Sequence, residues 1–277
     1  MKLGAQINLF ARYGDLRYKK MKEHGFDYAD YAIYGALDGK TEEEYEQLVL
    51  REKALAEEAG VTIWQIHGPW RYPPHDETEE DRAEWASYMR RSIRLTALIG
   101  CKYWVIHPIM PYGPNADPEP EIFWQMNLDF FRDILVTAKE YGVIICFENM
   151  PMRKLSMSTP EQTLKFIHMI DDENFKLCLD TGHASVFKLS PAEAVRMAGK
   201  DLAVMHVHDN GGDRDAHFLP FQGIIDWKDY VAALEEIGFD GVFSLEASII
   251  GWKTLPFDAY EKMLEALDCI MAELFRK

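Results

Sequence analysis

Cysteine is scarce in this chain: four residues in 277, at Cys101, Cys146, Cys178 and Cys269, with no C-x-x-C pair among them. Three of the four sit inside apolar runs, where free, buried thiols are the expected state. No stretch approaches the roughly 18 consecutive apolar residues of a membrane helix. Met1 to Ile7 leads straight into a strand pattern, without the apolar segment of a secretory signal. A cytoplasmic protein with no membrane partner is the expectation. Positive charge is also in short supply, with 30 Lys and Arg against 46 Asp and Glu, a net charge of −16. Such a chain repels a phosphate backbone at long range, which counts against nucleic acid as its main partner. The first crossover contains no G-x-G-x-x-G, which argues against a dinucleotide fold.

What the chain does have is apolar material, 48% of its residues with 13% aromatic, ample for one large core. Strand-like runs alternate with helical ones along its whole length. The strands are read at Lys2–Leu9, Phe26–Tyr34, Val61–His67, Cys101–His107, Val143–Glu148, Phe175–Asp180, Leu202–His208 and Gly241–Glu246. The helices are read at Asp15–His24, from Thr41 to Gly60, Thr78–Ile99, Glu121–Tyr141, from Thr159, from Ser190, Asp226–Ile237 and Pro256–Phe275. Thr41 with Glu44 forms a capping box, Gly60 and Gly100 stop their helices, and Pro160 and Pro191 occupy first helical turns. Repeated helix–glycine–strand units imply a parallel sheet with right-handed crossovers, and eight of them suit a closed (β/α)8 barrel, a single domain over residues 1–277.

Six of these runs end in an acid or imidazole: His67, His107, Glu148, Asp180, His208 and Glu246. In a barrel those ends meet at one mouth. Burying several ionisable groups together is costly, and a divalent cation compensates for it directly. Strand alternation places Gln65, Val105, Cys146, Cys178, His206 and Ser244 on the same face one layer deeper. His208 is read as the residue that touches metal, with His206 below it orienting it or contacting substrate.

Ile106-His107-Pro108, Phe147-Glu148-Asn149, Leu179-Asp180-Thr181-Gly182-His183, His206-Val207-His208-Asp209-Asn210, Gly223-Ile224-Ile225-Asp226-Trp227 and Ser244-Leu245-Glu246 span nearly the whole barrel. In order and strand placement they resemble the xylose isomerase-like TIM-barrel superfamily, which holds sugar isomerases and epimerases and also endonuclease IV. The ketose 3-epimerase and hydroxypyruvate isomerase branch implies one metal on Glu148, Asp180, His208 and Glu246, and substrate contacts from His183 and Arg214. Three carboxylates and one imidazole suit Mn²⁺ first, with Mg²⁺, Co²⁺ or Zn²⁺ as alternatives. The implied chemistry is proton transfer on a keto sugar or related polyol ketone through a metal-stabilised enediolate, with Glu148 and Glu246 as base and acid. His67, His107 and His206 are further expected substrate contacts.

The same superfamily supplies a competing expectation. An endonuclease IV-like member would hold three zinc ions on His67, His107, Glu148, Asp180, His183, His208, Asp215, His217 and Glu246, and would cut DNA at abasic sites. The net charge stands against it. Metal-assisted lyase chemistry on a sugar conjugate follows the same enediolate logic. Phe10, Tyr34, Trp70, Tyr112, Phe218 and Trp252 are candidates for an apolar wall around a sugar, Arg71, Arg153 and Lys154 for meeting an anionic group. Met150, Met152 and Met157 read as pocket lining or core filler, and the aromatics Phe123, Trp124, Phe130 and Phe131 as barrel packing or a homo-oligomer face.

Overall fold

A computed structural model describes residues 1–33, 39–70, 76–113, 117–249 and 253–276; Tyr34, Arg71 and Trp252 lie outside these. Eight strands form one parallel sheet: β1 Lys2–Gln6, β2 Tyr28–Ala32, β3 Thr62–His67, β4 Tyr103–Ile106, β5 Ile144–Glu148, β6 Phe175–Asp180, β7 Leu202–His206 and β8 Val242–Leu245. Neighbours pair in sequence order and β1 pairs with β8. The ring closes where Val207 bridges Leu245: the Val207 amide donates to the Ser244 carbonyl at 2.8 Å, and the Glu246 amide to the Val207 carbonyl at 2.9 Å. The expected (β/α)8 barrel is the observed fold.

The helices are α1 Arg17–Glu23, α2 Glu42–Ala59, α3 Glu79–Ile99, α4 Pro120–Glu140, α5 Pro160–Ile170, α6 Thr181–Val186, α7 Pro191–Ala198, α8 Trp227–Glu236 and α9 Phe257–Leu274. Full capping boxes open α2 at Thr41 with Glu44, α3 at Thr78 with Asp81 and α5 at Thr159 with Gln162, satisfying amides that have no partner within the helix. Gly60 and Gly100 adopt the left-handed conformation that ends α2 and α3.

Most strands are shorter than the sequence reading, and three differences bear on the site. The first strand stops at Gln6, and Ile7–Leu16 turns into a 3-10 run that buries Ile7, Leu9 and Phe10. The seventh stops at His206, because Val207 spends its backbone groups on β8 to close the ring. The short α6 was not anticipated; Asp180 caps it through the His183 amide.

Most of the core lies between sheet and helices. Phe131 of α4 packs edge-on against Phe147, Phe166 and Phe175, and Phe123 and Phe130 are buried, so this aromatic face covers the barrel. Inside the ring, Val105, Cys146, Cys178 and Val204 form a separate apolar floor. No helix among the described residues is long and apolar enough to cross a membrane.

Candidate metal centre

Above that floor the inward positions turn polar. Glu148, Asp180, His206 and Glu246 each offer a ligand atom, all within 4.8 Å of one another. His206 stands at the middle: its Nδ1 lies 3.0 Å from Glu148 Oε1 and 3.0 Å from Glu246 Oε2. This differs from the sequence reading, in which His208 joined the three carboxylates and His206 lay beneath it. Both imidazoles point inward, but β7 ends at His206, which the sheet register pairs with Asp180. His208 lies beyond the strand end, its Nε2 3.1 Å from Asp180 Oδ2 and 3.5 Å from Asp215 Oδ1.

Four further groups adjoin the central one: His67 with His107 and Glu148, Glu148 with Cys178 and His206, Asp180 with His183 and His208, and His208 with His217 and Glu246. His107 Nε2 is 3.0 Å from Glu148 Oε2, and His67 Nε2 3.6 Å from the same oxygen. Asp215 Oδ2 lies 3.3 Å from His183 Nε2 and 3.1 Å from His217 Nε2. His217 holds a positive φ of 47°, uncommon for a residue with a side chain.

The rings are set from behind. His67 Nδ1 lies 2.8 Å from the Gly68 carbonyl, His183 Nδ1 2.7 Å from that of Asn149, and His217 Nδ1 2.8 Å from that of Glu246. A carbonyl can only accept, so each Nδ1 carries the proton and each Nε2 is presented to the centre. That is how metal-ligating histidines are held. His107 Nδ1, His208 Nδ1 and Asp215 Oδ1 are buried without a hydrogen-bond partner among the described residues. The donor set and its buried charge therefore fit a divalent cation.

Scaffolding residues explain the rest of the motifs. Asn149 donates to the Asp180 carbonyl at 3.0 Å and accepts from the Asp180 amide at 2.8 Å, locking β5 to β6 at the mouth. Thr181 Oγ1 donates to the His208 carbonyl at 2.7 Å and accepts from the His208 amide at 3.0 Å. A Cβ on Gly182 would run into the His208 ring, so the motif needs glycine there. Buried Asp209 accepts from the amides of Gly223 and Ile225 and from the Trp227 indole, which folds the loop back onto the barrel.

The electrostatics separate the two glutamates. Burial pushes Glu148 up, but the facing His206 and His107 more than offset it, leaving the carboxyl well below its ordinary range. Burial raises Glu246; His206 and His217 pull it down, while Glu148 and Asp180 add to the rise, and the net shift is upward. Burial opposes protonation of His183 and His217, yet the surrounding carboxylates, Asp180 and Asp215 foremost, raise both to about 10. Burial, with smaller contributions from His67 and His183, lowers His107 to about 4 despite Glu148.

Arg214 is exposed on the loop after β7. Arg153 donates to the Val186 and Gly212 carbonyls and ties loops together, and Lys154 is exposed. Trp70 sets its ring edge-on to His107 at 4.6 Å, in an apolar cluster with Met110, Met150, Met152 and Leu155, whereas Phe10 and Met157 belong to the main core and Tyr112 packs against it. Two polar residues near the centre escaped the sequence reading. Gln6 donates to Glu246 Oε1 at 2.9 Å, and Asp30, wholly buried on β2, reaches His206. The available signal for Asp30 was a lone acid inside the strand run Tyr28-Ala29-Asp30-Tyr31-Ala32.

The chain is 27% identical over 239 residues to the D-psicose 3-epimerase of Ruminiclostridium cellulolyticum, covering 80% of this chain and 79% of that one. It is 29% identical over 156 residues to the inosose isomerase of Bacillus subtilis, covering 53% and 54%, so the chain spans about half the length of that relative; another relative is matched over 42% of its length. A solved D-tagatose 3-epimerase-like protein superposes over 99% of both chains with a TM-score of 0.75 at 25% identity. The family model for the xylose isomerase-like TIM barrel matches residues 18–270, and the chain belongs to that family.

Proposed function

We propose that this protein is a divalent-cation-dependent isomerase or epimerase that moves a proton beside the carbonyl of a small keto sugar or polyol ketone. One observation carries the reading: Glu148, at the end of β5, and Glu246, just past β8, approach the same His206 Nδ1 at 3.0 Å with Asp180 in the same group. Glu148, Asp180, His206 and Glu246 would hold the cation, with His208 beside Asp180 and His107 beside Glu148 as further donors. Bound there, a hard cation such as Mn²⁺ supplies Lewis-acid polarisation of a carbonyl and its adjacent hydroxyl.

The side chains then divide the proton work. Glu148, held ionised by its imidazole neighbours, takes the proton from the carbon beside the carbonyl. Glu246, kept up by burial and by the other carboxylates, is the partner that returns one. Return to the same carbon from the opposite face gives an epimer; return to the neighbouring carbon gives an isomer. A cleft of about 330 Å³ beside Glu246, lined by Gln6, Asn8, Ser248, Lys253 and Tyr260, offers room for the rest of a sugar. His67, His107, His183 and Arg214 would bind substrate oxygens around the mouth.

The test is solvent exchange. With Mn²⁺ and a panel of ketohexoses and inososes in D₂O, NMR should show deuterium entering the carbon next to the carbonyl of at least one substrate. Chelation should stop it and Mn²⁺ restore it; no exchange with any member would sink the reading. A second reading is favoured by the histidine groups flanking the centre, which would serve three zinc ions and phosphodiester cleavage at abasic DNA. Elemental analysis separates the two: one ion per chain fits the isomerase, three zincs with nicking the nuclease.

A further inference from the structure

We infer that Asp30 is a positioning residue for the metal centre, holding His206 so that Nδ1, not Nε2, is its ligand atom. The inference rests on His206 being a ligand, as proposed above. Asp30 sits on β2 and is wholly buried inside the barrel. Its Oδ2 lies 3.0 Å from His206 Nε2, at ion-pair distance though turned off the line of a hydrogen bond. The same oxygen accepts from Gln65 Nε2 at 3.0 Å, and that amide also donates to the Met205 carbonyl at 3.3 Å. Gln65 thus ties the carboxylate to the backbone next to His206.

The comparison with the other rings makes the case. His67, His183 and His217 are each held at Nδ1 by a backbone carbonyl and turn Nε2 to the centre. His206 is the reverse: Nδ1 faces Glu148 and Glu246, and Nε2 faces Asp30. A carboxylate oxygen 3.0 Å from Nε2 favours by its charge the tautomer that carries the proton there, which leaves the Nδ1 lone pair for a cation. The His67 ring lies parallel at 5.6 Å and limits rotation of the imidazole plane. A full negative charge behind the ring also makes Nδ1 a stronger donor than a carbonyl does. A buried carboxylate is expensive in a barrel interior, and the basic side chain that faces this one is His206 itself. Service to the cation bound through His206 accounts for that cost.

The experiment measures Mn²⁺ binding by EPR of the free ion, together with the thermal midpoint of the metal-free protein. Asp30→Asn keeps the shape and removes the charge. It should weaken Mn²⁺ binding about 10- to 100-fold while the metal-free midpoint stays level or rises. Co²⁺ bound to Asp30→Asn should show shifted visible absorption. Gln65→Met, which frees the carboxylate without removing it, should weaken binding in the same direction by less. A residue with only a packing role would lower the metal-free midpoint and leave Mn²⁺ affinity within twofold of wild type; that result in both variants overturns the inference. His206→Ala separates the two levels. If it binds Mn²⁺ like wild type, the ligand assignment itself fails, whereas loss of binding there with normal binding in Asp30→Asn overturns only the role of Asp30.

Discussion

The same strands build two different interiors. At the floor, Val105, Cys146, Cys178 and Val204 pack together as an apolar cluster. Two residues further along the same strands stand His107, Glu148, Asp180 and His206, all but His107 fully buried. Strand alternation makes the two levels neighbours on one face, so their backbones obey the same geometry. The difference is energetic: the floor gains from leaving water, whereas the mouth gathers charges that repel one another unless histidines, or a cation, balance them. Stability is stored at one end of the barrel, and chemistry is accommodated at the other.

The largest separation of the two should come from Glu148→Gln and Glu246→Gln. Each removes a proton carrier while keeping volume, so turnover should fall by about 10²- to 10⁴-fold. Each also removes a buried carboxylate from a crowded centre, so the thermal midpoint of the metal-free protein should hold or rise for Glu246, which burial already disfavours as an anion. Full turnover in either variant, measured by substrate-to-product conversion under saturating Mn²⁺, would remove the proton-transfer roles.

How much of this was legible beforehand follows the same division. The barrel was, because capping residues such as Thr41, glycines such as Gly60 and period-2 apolar runs act locally, and local rules carry over to the fold. The residues at the strand ends were legible as a set, since Glu148, Asp180, His183, His206, His208 and Glu246 do converge. Which histidine joins the carboxylates was not. Alternation turns both His206 and His208 inward, and the choice depends on where β7 leaves the ladder, a property of Val207 pairing with β8. Asp30 escaped for a related reason: its meaning comes from His206, 176 positions away, and a single acid in a strand carries no such address. The loop carrying Asp215 and His217 lies outside the strand pattern, and its placement depends on Asp209 gathering the amides of Gly223 and Ile225.

A smaller effect is expected from pH on the metal-free protein. His183 and His217 are raised to about 10 from the ordinary 6.5, so their contribution to stability is complete below pH 6.5 and is lost as pH rises through about 10. Asp180 and Asp215 are depressed below 3.8, burial opposing and the nearby histidines outweighing it, so their contribution is present above that value and lost as pH falls through the lowered ones. Denaturant midpoints taken in chelator should therefore decline from pH 7 to pH 10. With Mn²⁺ bound the decline should flatten, since the cation takes over the balancing of the carboxylates and disfavours a proton on the nearby imidazoles, so that binding strengthens as pH rises. A flat profile in chelator would mean that the mouth is balanced without charged histidines.

The smallest expected effect tests the floor. Val105→Ala leaves a void beneath His107 without adding or removing charge. It should cost about 1–3 kcal/mol by denaturant unfolding, through lost burial and an incompletely filled cavity. Because the Val105 side chain belongs to the apolar layer and carries no ligand atom, Mn²⁺ affinity and turnover should stay close to wild type at temperatures where the variant is folded. The pH profile in chelator should shift down in parallel, keeping its shape, since shape comes from the mouth and height from the floor. If Val105→Ala instead changed Mn²⁺ affinity as strongly as it changed stability, the two levels would be one cooperative unit, and the division of labour drawn from their chemistry would not hold.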